Sequence, residues 1–273
     1  MIVDAHQHFW QLARGDYRFP RADDATLYRD FLPGDLVPLL NDVGVDRTIL
    51  IQATDTFAET QFLLGIAAAN PFVAGVVGWW DPRSEGGIEE VRRLAGDQRL
   101  AGVRLMLQGL DDISFLLTEQ SRQQFEQLVD LRLVCDLLVD PRQLRAAGEL
   151  VRQMPRLGFV INHMAKPWRT PGQLDQWHKD MAALAALPNV AVKVSGYPVN
   201  TPPPSGEADD VLVGRLRSLF GVERLLWGSD WPVAEREGGY RVVFERMRKL
   251  FTDFEFDAVF GSNAARIYRL PPA

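Results

Sequence analysis

Two histidines stand in the first apolar run of this chain, His6 and His8 in MIVDAHQHFW. Side chains at i and i+2 of an extended strand project to the same side. The pair is therefore aimed at one small volume, with Asp4 behind it and Ala5 and Gln7 on the other row. Imidazole is the side chain best suited to ligate a metal or handle protons near neutral pH. An isolated H-x-H is equally compatible with a chance polar pair on a half-exposed strand, and the rest of the chain decides between the two.

The elements that must position these residues recur with a regular beat. Short runs rich in Val, Ile and Leu occur at 2–9 (IVDAHQHF), 47–53 (RTILIQA), 73–79 (VAGVVGW) and 100–107 (LAGVRLML). Four more follow at 131–139 (LRLVCDLLV), 158–164 (GFVINHM), 190–196 (VAVKVSG) and 224–231 (RLLWGSDW). Amphipathic stretches such as DLVPLLNDV, GIEEVRRLAG and SRQQFEQLVD lie between them. Turn signals at Gly44-Val45, Asn70-Pro71, Pro188-Asn189 and Gly221-Val222 announce several of the strands. Near-continuous apolar strands alternating with helices imply a parallel sheet covered on both faces. Eight units in 273 residues predict one (β/α)₈ barrel over 1–273, with FEFDAVFGSNAARIY closing the ring. A doubly wound open sheet is the alternative, but no G-x-G-x-x-G follows the first strand. The segments 11–35 and 200–210 follow strands one and seven, which makes them candidate lids or pocket walls.

In a barrel, functional residues gather at the carboxyl ends of the strands. Here the first strand carries His6 and His8, the second ends in Gln52, the third in Trp79 and Trp80, and the fourth carries Arg104. The fifth holds Asp136, the sixth ends in His163 with Lys166 after it, the seventh holds Lys193 and Ser195, and the eighth ends in GSDWP around Asp230. Three of the four histidines fall in this set, and His178 lies on a helix. Charged side chains pointing into a barrel must pair or do chemistry, so the clustering favours function for His6 and His8. Plainer readings stand beside some members. Trp79 and Trp80 could pack the helix layer, Gln52 could cap a turn, and an ion pair of Lys193 with Asp4 or Asp136 would explain that lysine without catalysis.

Composition narrows the partners. With 47% hydrophobic and 24% charged residues, a net charge of −6 and a pI near 5.3, the chain reads as a soluble globular protein with a small-molecule partner. Nucleic acid and anionic membrane surfaces are not expected. Cys135 is the single cysteine, read as packing in a reducing compartment. Without a signal-peptide pattern or an apolar run long enough to span a bilayer, a cytoplasmic location is expected. Nothing in the pattern fixes whether the chain is a monomer or a homo-oligomer.

The pieces DAHQHFW (4–10), GVRLMLQ (102–108), NHMAKP (162–167), VKVSG (192–196) and GSDWP (228–232) together resemble the amidohydrolase superfamily, and within it the amidohydrolase-related group. HQHFW with GSDWP is most similar to the branch of L-fuconolactonase- and L-rhamnonolactonase-like enzymes, which also includes the lactonase of 2-pyrone-4,6-dicarboxylate. Dinuclear members bridge two metals with a lysine or glutamate on strand four and add a histidine on strand five. This chain has Arg104 and Asp136 there, and arginine stays protonated, so a two-metal site is not expected.

His6, His8, His163 and Asp230 remain, and they suit two chemistries. They could hold one Zn²⁺ or other divalent cation. The lactonase branch implies instead hydrolysis that needs no metal. Asp230 would then activate water for attack on a sugar lactone, with His163, His6, His8 and Arg104 assisting the carbonyl. Gln52, Trp79, Trp80, Asp136, Lys166 and Lys193 are the expected substrate contacts, with Trp10 or Tyr17 as an aromatic wall. Arg104, Lys166 and Arg169 would serve a pyrone dicarboxylate. A Zn²⁺-dependent decarboxylase of the same superfamily and a non-catalytic sugar-acid sensor are the rival readings.

Overall fold

The apolar runs pair in the order in which they occur. In the computed structural model, which describes residues 1–167, 174–196 and 209–272, β1 (Val3–Gln7), β2 (Arg47–Ile51), β3 (Val73–Trp79) and β4 (Leu100–Met106) are followed by β5 (Val134–Leu138), β6 (Phe159–Ile161), β7 (Val190–Val194) and β8 (Leu225–Trp227). All seven neighbouring pairs are parallel, in the sheet order one to eight. Helices α1 (Pro33–Val43), α2 (Phe57–Ala69), α3 (Gly87–Leu94), α4 (Glu119–Asp130), α5 (Leu144–Gln153), α6 (Leu174–Ala185), α7 (Asp209–Phe220) and α8 (Tyr240–Arg248) alternate with the strands. The chain is a (β/α)₈ barrel. Arg169 and most of the segment 200–210 lie outside the described residues; Asp209 and Asp210 open α7.

The strands are shorter than the apolar runs, because the ends of several runs leave the ladder. Residues 162–165 form a 3-10 turn and 228–230 irregular chain rather than strand. Closure uses the second of these segments. His8 N–H donates to the Trp231 carbonyl at 2.7 Å and Asp230 N–H to the His6 carbonyl at 2.8 Å, joining β1 to the residues just past β8.

The first strand does not alternate as a regular strand would. Val3 and Ala5 both belong to the apolar cluster inside the barrel, yet His6 also turns inward, because the ladder shifts register between Asp4 and Gln7. One extra residue in a strand reverses the alternation beyond it. Asp4 is consequently not behind the histidines. It accepts hydrogen bonds from Ser229 N–H (2.9 Å), Ser229 Oγ (2.6 Å) and Tyr240 Oη (2.9 Å), at the seam between β1, β8 and α8.

Two apolar layers carry the barrel. Inside, Val3, Ile49, Val134, Ala191 and Leu226 pack with Ala264 and Tyr268 from the carboxy-terminal residues. Outside, the large side chains of strands and helices meet. Trp227 stacks on Phe260 (5.1 Å between ring centroids, 16°) and meets Phe244 and Tyr240 edge-on. Among the described residues, no helix is long and apolar enough to cross a membrane. Trp227→Ala should destabilise the protein by about 3–5 kcal/mol in urea unfolding. Val242→Ala, on the exposed face of α8, should change it by about 0.5 kcal/mol or less.

Candidate active site

Three elements bring the central residues together. The displaced end of β1 turns His6 and His8 inward. After β6 the backbone enters a left-handed turn, with φ of 53° at His163, 54° at Met164, 57° at Ala165 and 49° at Lys166. Side chains rarely adopt this region, and a run of four is costly unless packing over-determines it. Here the turn swings His163 and Lys166 over the barrel mouth, and Trp177 of α6 holds it by donating Nε1–H to the Met164 carbonyl at 2.8 Å. Beyond β8, Asp230 is also left-handed (φ 59°). It is fixed on one side by its N–H on His6 and on the other by Ser229, which Asp4 holds.

The result is a carboxylate surrounded by imidazoles. Asp230 Oδ1 lies 3.4 Å from His8 Nε2, 3.5 Å from His6 Nε2 and 3.8 Å from His163 Nε2. His8 Nδ1 is 2.8 Å from the Ile51 carbonyl. A carbonyl only accepts, so Nδ1 carries the proton and Nε2 presents its lone pair to the site. His163 Nδ1 is 2.9 Å from Ser195 Oγ. His6 is fully buried, and its Nδ1 has no hydrogen-bond partner among the described residues.

Arg104 supplies a fixed cation beside this group. Its Nη2 donates to Gln52 Oε1 at 2.9 Å and to the Gln52 carbonyl, which leaves Nη1 3.5 Å from His6 Nε2. Burial lowers the guanidinium to about 10, opposed by Asp136 and Asp230, so it remains charged at neutral pH. Burial, Lys166 and Arg104 press the His163 imidazole down to about 3, against the pull of Asp230. His6 and His8 are lowered as well, foremost by burial. Burial alone would raise the Asp230 carboxyl, but His163, His8 and Lys166 outweigh it and hold the group at about 2. At neutral pH the site is an ionised aspartate among neutral imidazoles with cations at its edge.

A cavity of about 320 Å³ opens above it. His8, Arg104, His163, Lys166 and Asp230 line its polar side, and Trp10, Phe19, Met106, Leu138 and Val233 its apolar side, with Gln108 and Arg236 also on the wall. Seven of the residues singled out in the sequence thus meet: His6, His8, Arg104, His163, Lys166 and Asp230, with Trp10 on the apolar wall.

Others do not reach the cavity. Gln52 is fully buried and grips Arg104 instead. Asp136 and Lys193 form a fully buried ion pair at 2.7 Å beneath the site, and neither lines the cavity. Trp80 packs edge-on to Phe125 in the helix layer, and Trp79 packs on Phe57 of α2. Tyr17 donates to Glu59 Oε2 at 2.8 Å, away from the cavity, while Trp10 lines it.

The walls escaped notice for a reason. Leu138 and Val233 are indistinguishable in sequence from core residues, and Phe19 and Arg236 come from segments without periodicity. Met106, the last residue of β4, and Gln108, two residues past it, could have been found by applying the rule of strand ends there.

The donor set also fits a metal ion. His6 Nε2, His8 Nε2 and Asp230 Oδ1 lie mutually 3.2, 3.4 and 3.5 Å apart. The edge of a tetrahedral zinc site with bonds near 2.05 Å is about 3.3 Å. His8 has the carbonyl support that ligating histidines carry on their other nitrogen; among the described residues His6 has none.

A parallel barrel that gathers H-x-H from its first strand, a histidine after its sixth and an aspartate after its eighth has the architecture of an amidohydrolase-type enzyme. The chain belongs to the amidohydrolase family, whose sequence profile matches residues 3–270. An L-fucono-1,5-lactonase of Burkholderia ambifaria is 38% identical over 276 residues, covering 98% of this chain and 95% of its own. An L-fucono-1,5-lactonase of Burkholderia multivorans is 32% identical, covering 98% and 96%. The crystal structure of an amidohydrolase from Burkholderia multivorans with bound zinc has a TM-score of 0.89 at 31% identity, covering 99% of this chain and 100% of that one.

Two glycines let the histidines approach. A Cβ on Gly228 would lie 2.5 Å from His6 Cβ, and one on Gly196 (φ +60°) would lie 2.4 Å from His163 Nδ1. Gly196→Ala should therefore destabilise by about 2–4 kcal/mol in urea unfolding, from overpacking and left-handed strain together. Gly214→Ala on α7, where an added methyl meets no atom within 4 Å, should stabilise by up to about 1 kcal/mol.

Proposed function

We propose that the protein opens the ring of a sugar lactone, an aldonolactone of the L-fuconolactone type, to give the aldonic acid. The observation that carries this reading is the ionised Asp230 lodged among three neutral imidazoles. The full-length relatives named L-fucono-1,5-lactonase supply the substrate class.

Asp230 Oδ1 takes a proton from water, and the hydroxide adds to the lactone carbonyl carbon. Charge that develops on the carbonyl oxygen is met by Arg104, already oriented by Gln52, in a site largely shielded from solvent where a fixed cation is most effective. The tetrahedral intermediate collapses, the ring C–O bond breaks, and the protonated Asp230 returns its proton to the departing alkoxide. An alkoxide is easier to expel than an amide nitrogen, which suits a site with one carboxylate base. The apolar side of the cavity faces the carbon skeleton, while Lys166, Gln108 and Arg236 are placed for hydroxyl groups.

His6, His8 and Asp230 would hold a divalent ion, whose Lewis acidity would serve the carbonyl oxygen. In this reading the ion is dispensable. Two features of the site support that: Arg104 places positive charge 3.5 Å from His6 Nε2, and among the described residues the His6 Nδ1 lacks the partner that tight metal sites provide.

Acid release from L-fucono-, L-rhamnono- and D-galactonolactone by chelator-treated protein tests both parts. Rapid hydrolysis of one stereochemical subset is expected. Loss of turnover on chelation with recovery only by Zn²⁺ would overturn the metal-free reading. Silence across the panel with Zn²⁺ restored would move the protein to pyrone-dicarboxylate or decarboxylase chemistry. Asp230→Asn should reduce kcat by about 10²–10⁴-fold with KM little changed, and near-normal turnover would remove Asp230 from the mechanism.

A further inference from the structure

The carboxy-terminal residues enter the barrel from the end opposite the cavity. Arg47, at the start of β2, donates to the Pro271 carbonyl at 2.6 Å, and Arg269 donates to the carbonyl of Arg132, just before β5. Just before these ties Tyr268 points into the barrel, 3% exposed, among Val3, Ile49 and Leu226. Its hydroxyl donates to Asp136 Oδ1 at 2.6 Å. The other oxygen of Asp136 accepts from Lys193 Nζ at 2.7 Å and from Asn162 Nδ2 at 2.8 Å. Lys193 Nζ also lies 5.1 Å above the Tyr268 ring.

Both partners of that second oxygen lead to His163. Asn162 is the residue before it, at the entrance to the left-handed turn. Lys193 stands two residues before Ser195 on the same stretch of chain, and Ser195 Oγ is the 2.9 Å partner of His163 Nδ1. Asp136 also sits opposite Arg104 in the β4–β5 ladder. One buried carboxylate therefore ties together the two supports of His163 beside the arginine that faces the substrate.

Stability is a poor explanation for this network. A buried ion pair pays a desolvation cost that apolar residues of similar volume avoid, so it is commonly no more stable than they are. What it does confer is a fixed geometry, since each partner must stay in place to satisfy the others.

We infer that Tyr268 is a positioning residue for His163: by holding Asp136 from below, the carboxy-terminal segment sets the geometry of a site at the other end of the barrel. The kinetic part of this inference rests on the lactonase reading.

The experiment compares Tyr268→Phe, Asp136→Asn, the double variant and Ile267→Ala. Ile267→Ala loosens the packing of the same segment without touching Asp136. Tyr268→Phe keeps the ring and should lower kcat for the lactone by about tenfold or more, as loss of an outer support typically does, with KM unchanged. Added to Asp136→Asn it should cost nothing further, because both act through one carboxylate. Ile267→Ala should lower the melting temperature while leaving kcat at the wild-type value. In ¹⁵N-histidine-labelled protein, the imidazole resonances of His163 should shift in Tyr268→Phe and stay in place in Ile267→Ala, a readout that needs no turnover. Wild-type kcat and unshifted His163 resonances in Tyr268→Phe would overturn the inference, and so would equal losses in Ile267→Ala. A wild-type protein that opens no lactone would defeat the function proposed above, and the resonance comparison would then decide this inference alone.

Discussion

A carboxylate that is almost out of reach of water must be compensated by its surroundings, and the barrel mouth is organised around that requirement. Asp230 is only 8% exposed. Its negative charge is balanced by Lys166 and Arg104, while the nearest atoms belong to imidazoles that burial keeps neutral. Removing any one of these partners leaves an anion in a poorly solvated place. The same stretch of chain closes the barrel, through Asp230 N–H to His6 and His8 N–H to Trp231. The position of the Asp230 carboxylate and the closure of the ring are thus one structural fact.

Rigidity on this scale has a local cost, and the costs cluster at the site. Five non-glycine residues there, His163 to Lys166 and Asp230, hold left-handed backbone. Gly196 admits the His163 ring, and Gly228 the Cβ and backbone of His6, closer than any side chain would allow. Such strain persists only where surrounding contacts leave no alternative, which is the part played by Trp177, Ser195, Ser229 and Asp4.

The cavity roof is pinned from two sides. On one, Arg14 and Tyr17 reach the buried Glu59 of α2, which in turn accepts Ala53 N–H beside the cavity. On the other, Arg236 pairs with Asp24 and lies over the Phe19 ring. Phe19 and Trp10 are held between these clasps, so the apolar side of the pocket is built before substrate arrives, which limits the ordering that binding must impose.

The barrel, the pairing order of its strands and the convergence of His6, His8, His163, Arg104, Lys166 and Asp230 were legible in the sequence. Each depends on local chemistry or on a rule of topology: apolar runs at strand length, turn residues between them, and polar side chains where a barrel strand ends. What escaped depends on distances between elements remote in the chain. No local pattern announces that the first strand bulges after Asp4 and reverses its faces, and none decides between Asp4 and Asp136 as the partner of Lys193 or between the pocket and the helix layer for Trp80. A strand's period tells which side chains share a face, and a single inserted residue inverts that reading. Sequence by itself determined which polar residues gather at one end of the barrel and what scaffold carries them. Only the tertiary structure decided which charged residues face the cavity and which are spent on one another, because that choice is made by packing across the barrel and not by neighbours along the chain.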